Sequence, residues 1–199
     1  MRVLFFSVLL CLSHYVVAEQ PSCAENSGAY KYGFSVGNEL IPRLLEASEI
    51  SAIENLFKNI AGKSQRHGTL TEFYCRGQEK STSDYRVNTS TSYNYERLLF
   101  LRSDVVSRGK SASFLENLRL KIDEGSLQLW GLNGGTGIDL IRATPGLLVY
   151  RELRRTRRAG GGFTERQFVN ELEYKSGVYS LTQHIYINKG LYGWRFWQY

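Results

Sequence analysis

Glu171, His184 and Arg195 supply a carboxylate, an imidazole and a guanidinium within one C-terminal stretch, Leu147 to Tyr199. Brought to one face of a sheet, they have the chemistry to cleave RNA without a metal. The carboxylate takes the proton of the 2′-hydroxyl, the imidazole returns one to the leaving oxygen, and the guanidinium holds the phosphate. Trp197, Tyr186 and Tyr150, read onto the same face, offer surfaces on which a base stacks. The plain alternative is a solvated sheet face crossed by ion pairs, which charged strand residues commonly form.

What must position these groups is a set of four sequential antiparallel strands. Ser176-Gly177 makes a two-residue hairpin turn that sets Tyr174 opposite Tyr179, Leu172 opposite Leu181 and Phe168 opposite Ile185. A four-residue turn from Ala159 to Gly162 places Leu153 opposite Phe168 and Val149 opposite Leu172. A Lys189-Gly190 turn places His184 beside Arg195. The three turns agree on one apolar face, and a slip of one residue would invert every face. The other face then carries Tyr150, Glu152, Arg154, Glu171, His184, Arg195 and Trp197. In type this is similar to the small secreted microbial ribonucleases, although none of their motifs surrounds these positions.

A second feature is basic. Arg151, Arg154, Arg155, Arg157 and Arg158 precede Gly160-Gly161-Gly162 at the predicted hairpin tip. As an anion patch the run suits an anionic polymer or an acidic surface, such as nucleic acid, sulfated glycan or acidic lipid, with salt-sensitive affinity. As a processing site, Arg155-Thr156-Arg157-Arg158 fits a furin-type protease. As charge alone, it protects a hairpin edge.

Shorter matches also occur. Ser90-Thr91-Ser92 with Glu171-Leu172-Glu173 resembles two of three marks of arginine-specific ADP-ribosyltransferase toxins, while the third, an arginine on an early strand, is absent. Arg151-Glu152-Leu153-Arg154 matches the translocation motif of oomycete effectors, but inside a predicted strand. Trp194 to Tyr199 resembles the aromatic last strand of outer-membrane barrels, against which the helical pattern of residues 38–62 argues. Gly134-Gly135-Thr136-Gly137 is followed by no lysine and no helix, so it is not a phosphate cradle. His67 and His184 are the histidines beyond residue 18, and no metal or cofactor is expected.

The chain begins Met1-Arg2, continues with an apolar run to Leu12, and reaches Val16-Val17-Ala18 before the polar Glu19-Gln20. That is the pattern of a cleavable secretory signal over 1–18, cut near Ala18, followed by one domain over 19–199. The expected address is extracellular or periplasmic. Export leaves Cys23 and Cys75, predicted to form one disulfide closing a loop of roughly 50 residues and contributing about 3–4 kcal/mol. The net charge of +6 is concentrated in the arginine run.

Helical patterns cover Asn38 to Ala47 and then Ser48 or Ser51 to Gly62, where Ile50, Ile53, Phe57 and Ile60 make an apolar face. The polar stretch Gly77 to Ser92 reads as a surface loop, and strands are predicted around Leu70, Arg97, Ser126 and Ile138. The expected class is α+β: an antiparallel sheet ending in a four-stranded meander, with N-terminal amphipathic helices packed on one face. Functionally, a secreted binding or effector protein engaging an anionic partner through the basic hairpin comes first. Ribonuclease-like and ADP-ribosyltransferase activities are the alternatives.

Overall fold

In the computed structural model, the described residues are 40, 42–76, 79–107, 110–131, 134–157, 160–187 and 190–199. They form one helix, α1 (Ala47–Ala61), and eleven strands in a single antiparallel sheet. The strands are β1 (Gln65–Arg76), β2 (Glu79–Tyr93), β3 (Leu98–Ser107), β4 (Lys110–Lys121), β5 (Ser126–Gly131) and β6 (Gly134–Gly137), then β7 (Asp139–Thr144), β8 (Leu147–Arg157), β9 (Phe163–Lys175), β10 (Val178–Ile187) and β11 (Gly190–Gln198). Each pairs with the next in sequence except β6 with β7, and β1 pairs with β11. An order that returns on itself this way curls the sheet into an up-and-down barrel, nearly closed, with its seam between β6 and β7.

This corrects the expected α+β class. Among the described residues there is one helix, and the C-terminal meander is four strands of a continuous wall. The helical pattern before Ala47 fails because residues 42–46 take no helical conformation, and the Leu45 N–H donates to the Gly125 carbonyl at 2.8 Å instead. Glu46 caps α1 with Glu49 in a reciprocal capping box, and Arg43 forks onto the same Glu49 carboxylate. Gly77 to Ser92 is largely strand, not loop. Val87, Thr89 and Thr91 of β2 point inward and are buried, while Asn88, Ser90 and Ser92 point outward and are exposed. A β-branched threonine on the inner face hides the alternation from a reading that counts only apolar residues.

The helix does not lie on a sheet face. Ile53, Leu56, Phe57 and Ile60 are completely or nearly buried, and α1 touches β2, β4, β7, β8 and β9, strands from opposite sides of the ring. It therefore plugs one end of the barrel. Its apolar face merges with Leu70, Leu99, Leu118, Leu148 and Leu172 into one core. Arg66, buried on β1, clamps the plug: it donates to the Ile60 carbonyl and to the Gly177 carbonyl of the β9–β10 turn, both at 3.0 Å. The bond to Ile60 satisfies a carbonyl of the last helical turn. No helix among the described residues is long and apolar enough to cross a membrane.

The first and last strands meet tightly. A methyl group on Gly193 would come within 2.7 Å of the Phe73 carbonyl oxygen and of the Tyr74 ring. We expect Gly193→Ala to lower unfolding free energy by about 2 kcal/mol in urea titration. A change below about 0.5 kcal/mol would show that β11 can shift away freely.

Candidate functional site

Alternation fills the plugged half of the lumen with leucines and leaves polar side chains in the other half. On β8 the inward residues run Leu148, Tyr150, Glu152 and Arg154, and on β9 they run Phe168, Asn170 and Leu172. Gln183 of β10 stands opposite both Asn170 and Arg195 of β11. Arg195 in turn stands opposite Glu72 of β1. Glu116 joins them from β4, on the inward row that also holds Phe114, Leu118 and Leu120.

These groups form two ion-paired clusters. In the first, Arg154 donates through Nε and Nη2 to both oxygens of Glu152, at 2.9 and 2.8 Å, and through Nη2 to Glu116 at 2.9 Å. The Tyr150 hydroxyl donates to the other oxygen of Glu116 at 2.7 Å, and Asn170 donates to Glu152 at 3.0 Å. Gln183 holds the Asn170 amide oxygen at 2.9 Å. In the second, Arg195 Nε donates to Glu72 at 2.8 Å and Nη2 donates to the Tyr74 hydroxyl at 3.2 Å. Each guanidinium also lies over a ring, Arg154 over Phe168 and Arg195 over Phe114.

Two carboxylates share one arginine in the first cluster, and only 1% of the Glu152 side chain is exposed. Burial, reinforced by the nearby Glu116 charge, pushes the Glu152 carboxyl up to about 7 against the pull of Arg154 and Asn170. Burial likewise drives the Tyr150 hydroxyl well above the usual phenol range, so it stays a donor. A folded value above the unfolded one means that Glu152 contributes its stability at low pH and loses it as pH rises through about 7.

Between the clusters opens a cavity of about 170 Å³. Leu101, Phe114, Leu181 and Trp197 form its apolar walls, and Glu116, Arg154 and Arg195 its charged ones. Ser103 and Tyr199 also line it, bonded to each other at 2.6 Å. The Trp197 side chain is 2% exposed, and its indole N–H has no acceptor among the described residues. A buried donor left unpaired costs about 1–3 kcal/mol.

The predicted constellation is divided by the barrel wall. Gln183, not His184, stands opposite Arg195, so Arg195 faces the lumen while His184 and Glu171 face out. The cause is a bulge between Ile185 and Tyr186 that shifts β11 by one position. A matching slip occurs between β8 and β9, where Leu148, not Val149, faces Leu172. Tyr150 and Trp197 therefore lie inside, whereas Tyr186 lies outside in a small cluster with Val149, Val169 and Leu191.

The arginine run is also split. Arg151 pairs with Asp139 at 2.5 Å and is buried; Arg154 points into the lumen; Arg155 pairs with Glu165 at 3.0 Å and is exposed. Arg157 closes the β8–β9 ladder opposite Phe163, and Arg158 lies outside the described residues. Cys75 sits on β1, half-buried, while Cys23, and with it the predicted pairing, lies outside the described residues, as do residues 1–18. Among the described residues no cluster of histidine, cysteine and carboxylate could hold a metal. Glu116 escapes the sequence reading although its place on the inward row with Phe114, Leu118 and Leu120 was a usable signal.

No family profile matches the chain, and no curated protein resembles it in sequence. Among solved structures, a protein of unknown function from the DUF3598 family of Nostoc punctiforme is similar over 82% of this chain, at 10% identity and a TM-score of 0.47. The chain spans about half the length of that structure, 52%.

Proposed function

We propose that this chain is a small-molecule-binding barrel, exported by the segment at residues 1–18, whose ligand occupies the lumen on the side away from α1. The single observation that carries the reading is the unpaired Trp197 indole in the wall of a cavity that also presents two arginines. Closed barrels of this size keep ligands in the lumen, where apolar walls bind and a few fixed polar groups orient. About 170 Å³ is room for one ring or a short branched chain, since an engineered cavity of roughly 150 Å³ admits benzene. Binding is favoured over catalysis because the arginines and carboxylates of the wall hold one another.

The test is a thermal-shift screen of single-ring and short-chain compounds against the wild type and Leu181→Phe, which places a ring inside the cavity. A compound at 100 times its dissociation constant adds about 2.7 kcal/mol and a rise of several degrees. That rise should vanish in Leu181→Phe while the circular dichroism spectrum is kept. A hit that stabilises both proteins equally binds elsewhere, and the reading fails.

A further inference from the structure

The cavity wall also specifies the chemistry of its occupant, provided the lumen is the ligand site. Its carboxylates are taken: both Glu116 oxygens are bonded, Glu152 is enclosed by Arg154 and Asn170, and Glu72 holds Arg195. Its donors are not. The Trp197 indole is unpaired, and Arg154 and Arg195 each use only Nε and Nη2, leaving Nη1 without a hydrogen bond among the described residues. A ligand that completes this wall brings acceptors, and a carboxylate makes the strongest, charge-assisted bond to a guanidinium N–H. The remaining walls, Phe114, Leu181 and Trp197, suit a flat apolar body of about one ring.

We infer that the lumenal site takes a small planar aromatic acid, its ring between Phe114, Leu181 and Trp197 and its carboxylate on the arginine-lined side. Charge decides how an anion can enter. Arg154 already faces Glu116 of β4 and Glu152 of its own strand, with Tyr150 and Asn170 as neutral partners, and Arg195 faces Glu72 of β1. A third carboxylate is accommodated when Glu152 holds a proton, and that group titrates at about 7 before ligand arrives. Binding is then coupled to proton uptake, and affinity falls as pH rises.

Calorimetric titration of benzoate, benzamide and benzylammonium at pH 6 and pH 8.5 tests this. Benzoate is expected to bind tightest of the three, about tenfold or more weaker at pH 8.5 than at pH 6, with that dependence flattened in Glu152→Gln. Repeating the wild-type titration in two buffers of different ionisation enthalpy should show proton uptake, which decides the matter even if the variant does not fold. Benzylammonium or benzamide binding better than benzoate, or benzoate binding without proton uptake, overturns the acid and leaves the pocket standing. Binding by none of the three also overturns the aromatic acid, while the pocket reading stands or falls on the thermal-shift screen against Leu181→Phe.

Discussion

At pH 8, Arg154→Met should lower the unfolding free energy by about 3 kcal/mol, and at pH 5 by far less. Arg154 is the shared partner of two carboxylates, Glu116 and Glu152, whose side chains are 8% and 1% exposed. Removing one member of a buried ionic set typically costs 3–5 kcal/mol, and the 42% exposure of Arg154 itself argues for the lower end. Methionine keeps an apolar chain against the Phe168 ring, so the lost charge is the main change. Without the guanidinium, the Glu152 carboxyl, already raised by burial, holds its proton to still higher pH in the folded chain than in the unfolded one. The folded state then binds more protons, so stability falls with rising pH and returns as pH drops. Urea titrations at the two pH values measure the difference. Equal losses at both would mean that packing, not charge, is what Arg154 supplies.

Phe57→Ala is expected to cost about 3–5 kcal/mol. Phe57 has no exposed surface and meets Tyr93 edge-on with ring centroids 5.9 Å apart. It stands in the middle of the plug, where α1 touches strands from both sides of the ring, so no single neighbour can close the gap. Thermal and urea unfolding read the loss directly. A change below about 1 kcal/mol would show that the helix contributes little to the barrel and merely rests in its end.

How much of this was legible in the sequence depends on the turns. Ser176-Gly177 is a two-residue turn with positive φ at both positions, 52° and 83°, and the register it implies for β9 and β10 is the one observed. The other two turns are not so regular. Arg157 and Phe163 close a longer loop that bends through positive φ at Gly161 and Gly162, and a bulge resets β10 against β11. Each moves its outer strand by one residue, and a one-residue slip inverts a face. Glu152 and Arg154 do keep company with Arg195 and Trp197, as the sequence suggests. They do so inside the barrel, while Glu171 and His184 remain on the outer face. Polar and aromatic residues at lumenal positions look solvent-facing to any pattern that equates inside with apolar.

The same limit explains the helices. The helical spacing expected up to Ala47 competes over residues 42–46 with Pro42 and with the backbone bond that Leu45 gives to Gly125, and there tertiary structure wins. Nothing local says that α1 goes into a barrel end and not onto a flat sheet, because both bury the same stripe.

The pairing of β1 with β11 has a kinetic consequence. Nine of the strand pairings join neighbours in sequence, but this one brings together Glu72 and Arg195, 123 residues apart. Such a contact waits for the rest of the wall, since loop entropy must be overcome before it gives anything back. During synthesis β1 emerges well before its partner. Until then both present bare strand edges, with Phe73 on one and Trp194 and Phe196 on the other. The interval before the ends meet is when this chain is most exposed to self-association, and a slow final phase in refolding should be concentration-sensitive for that reason.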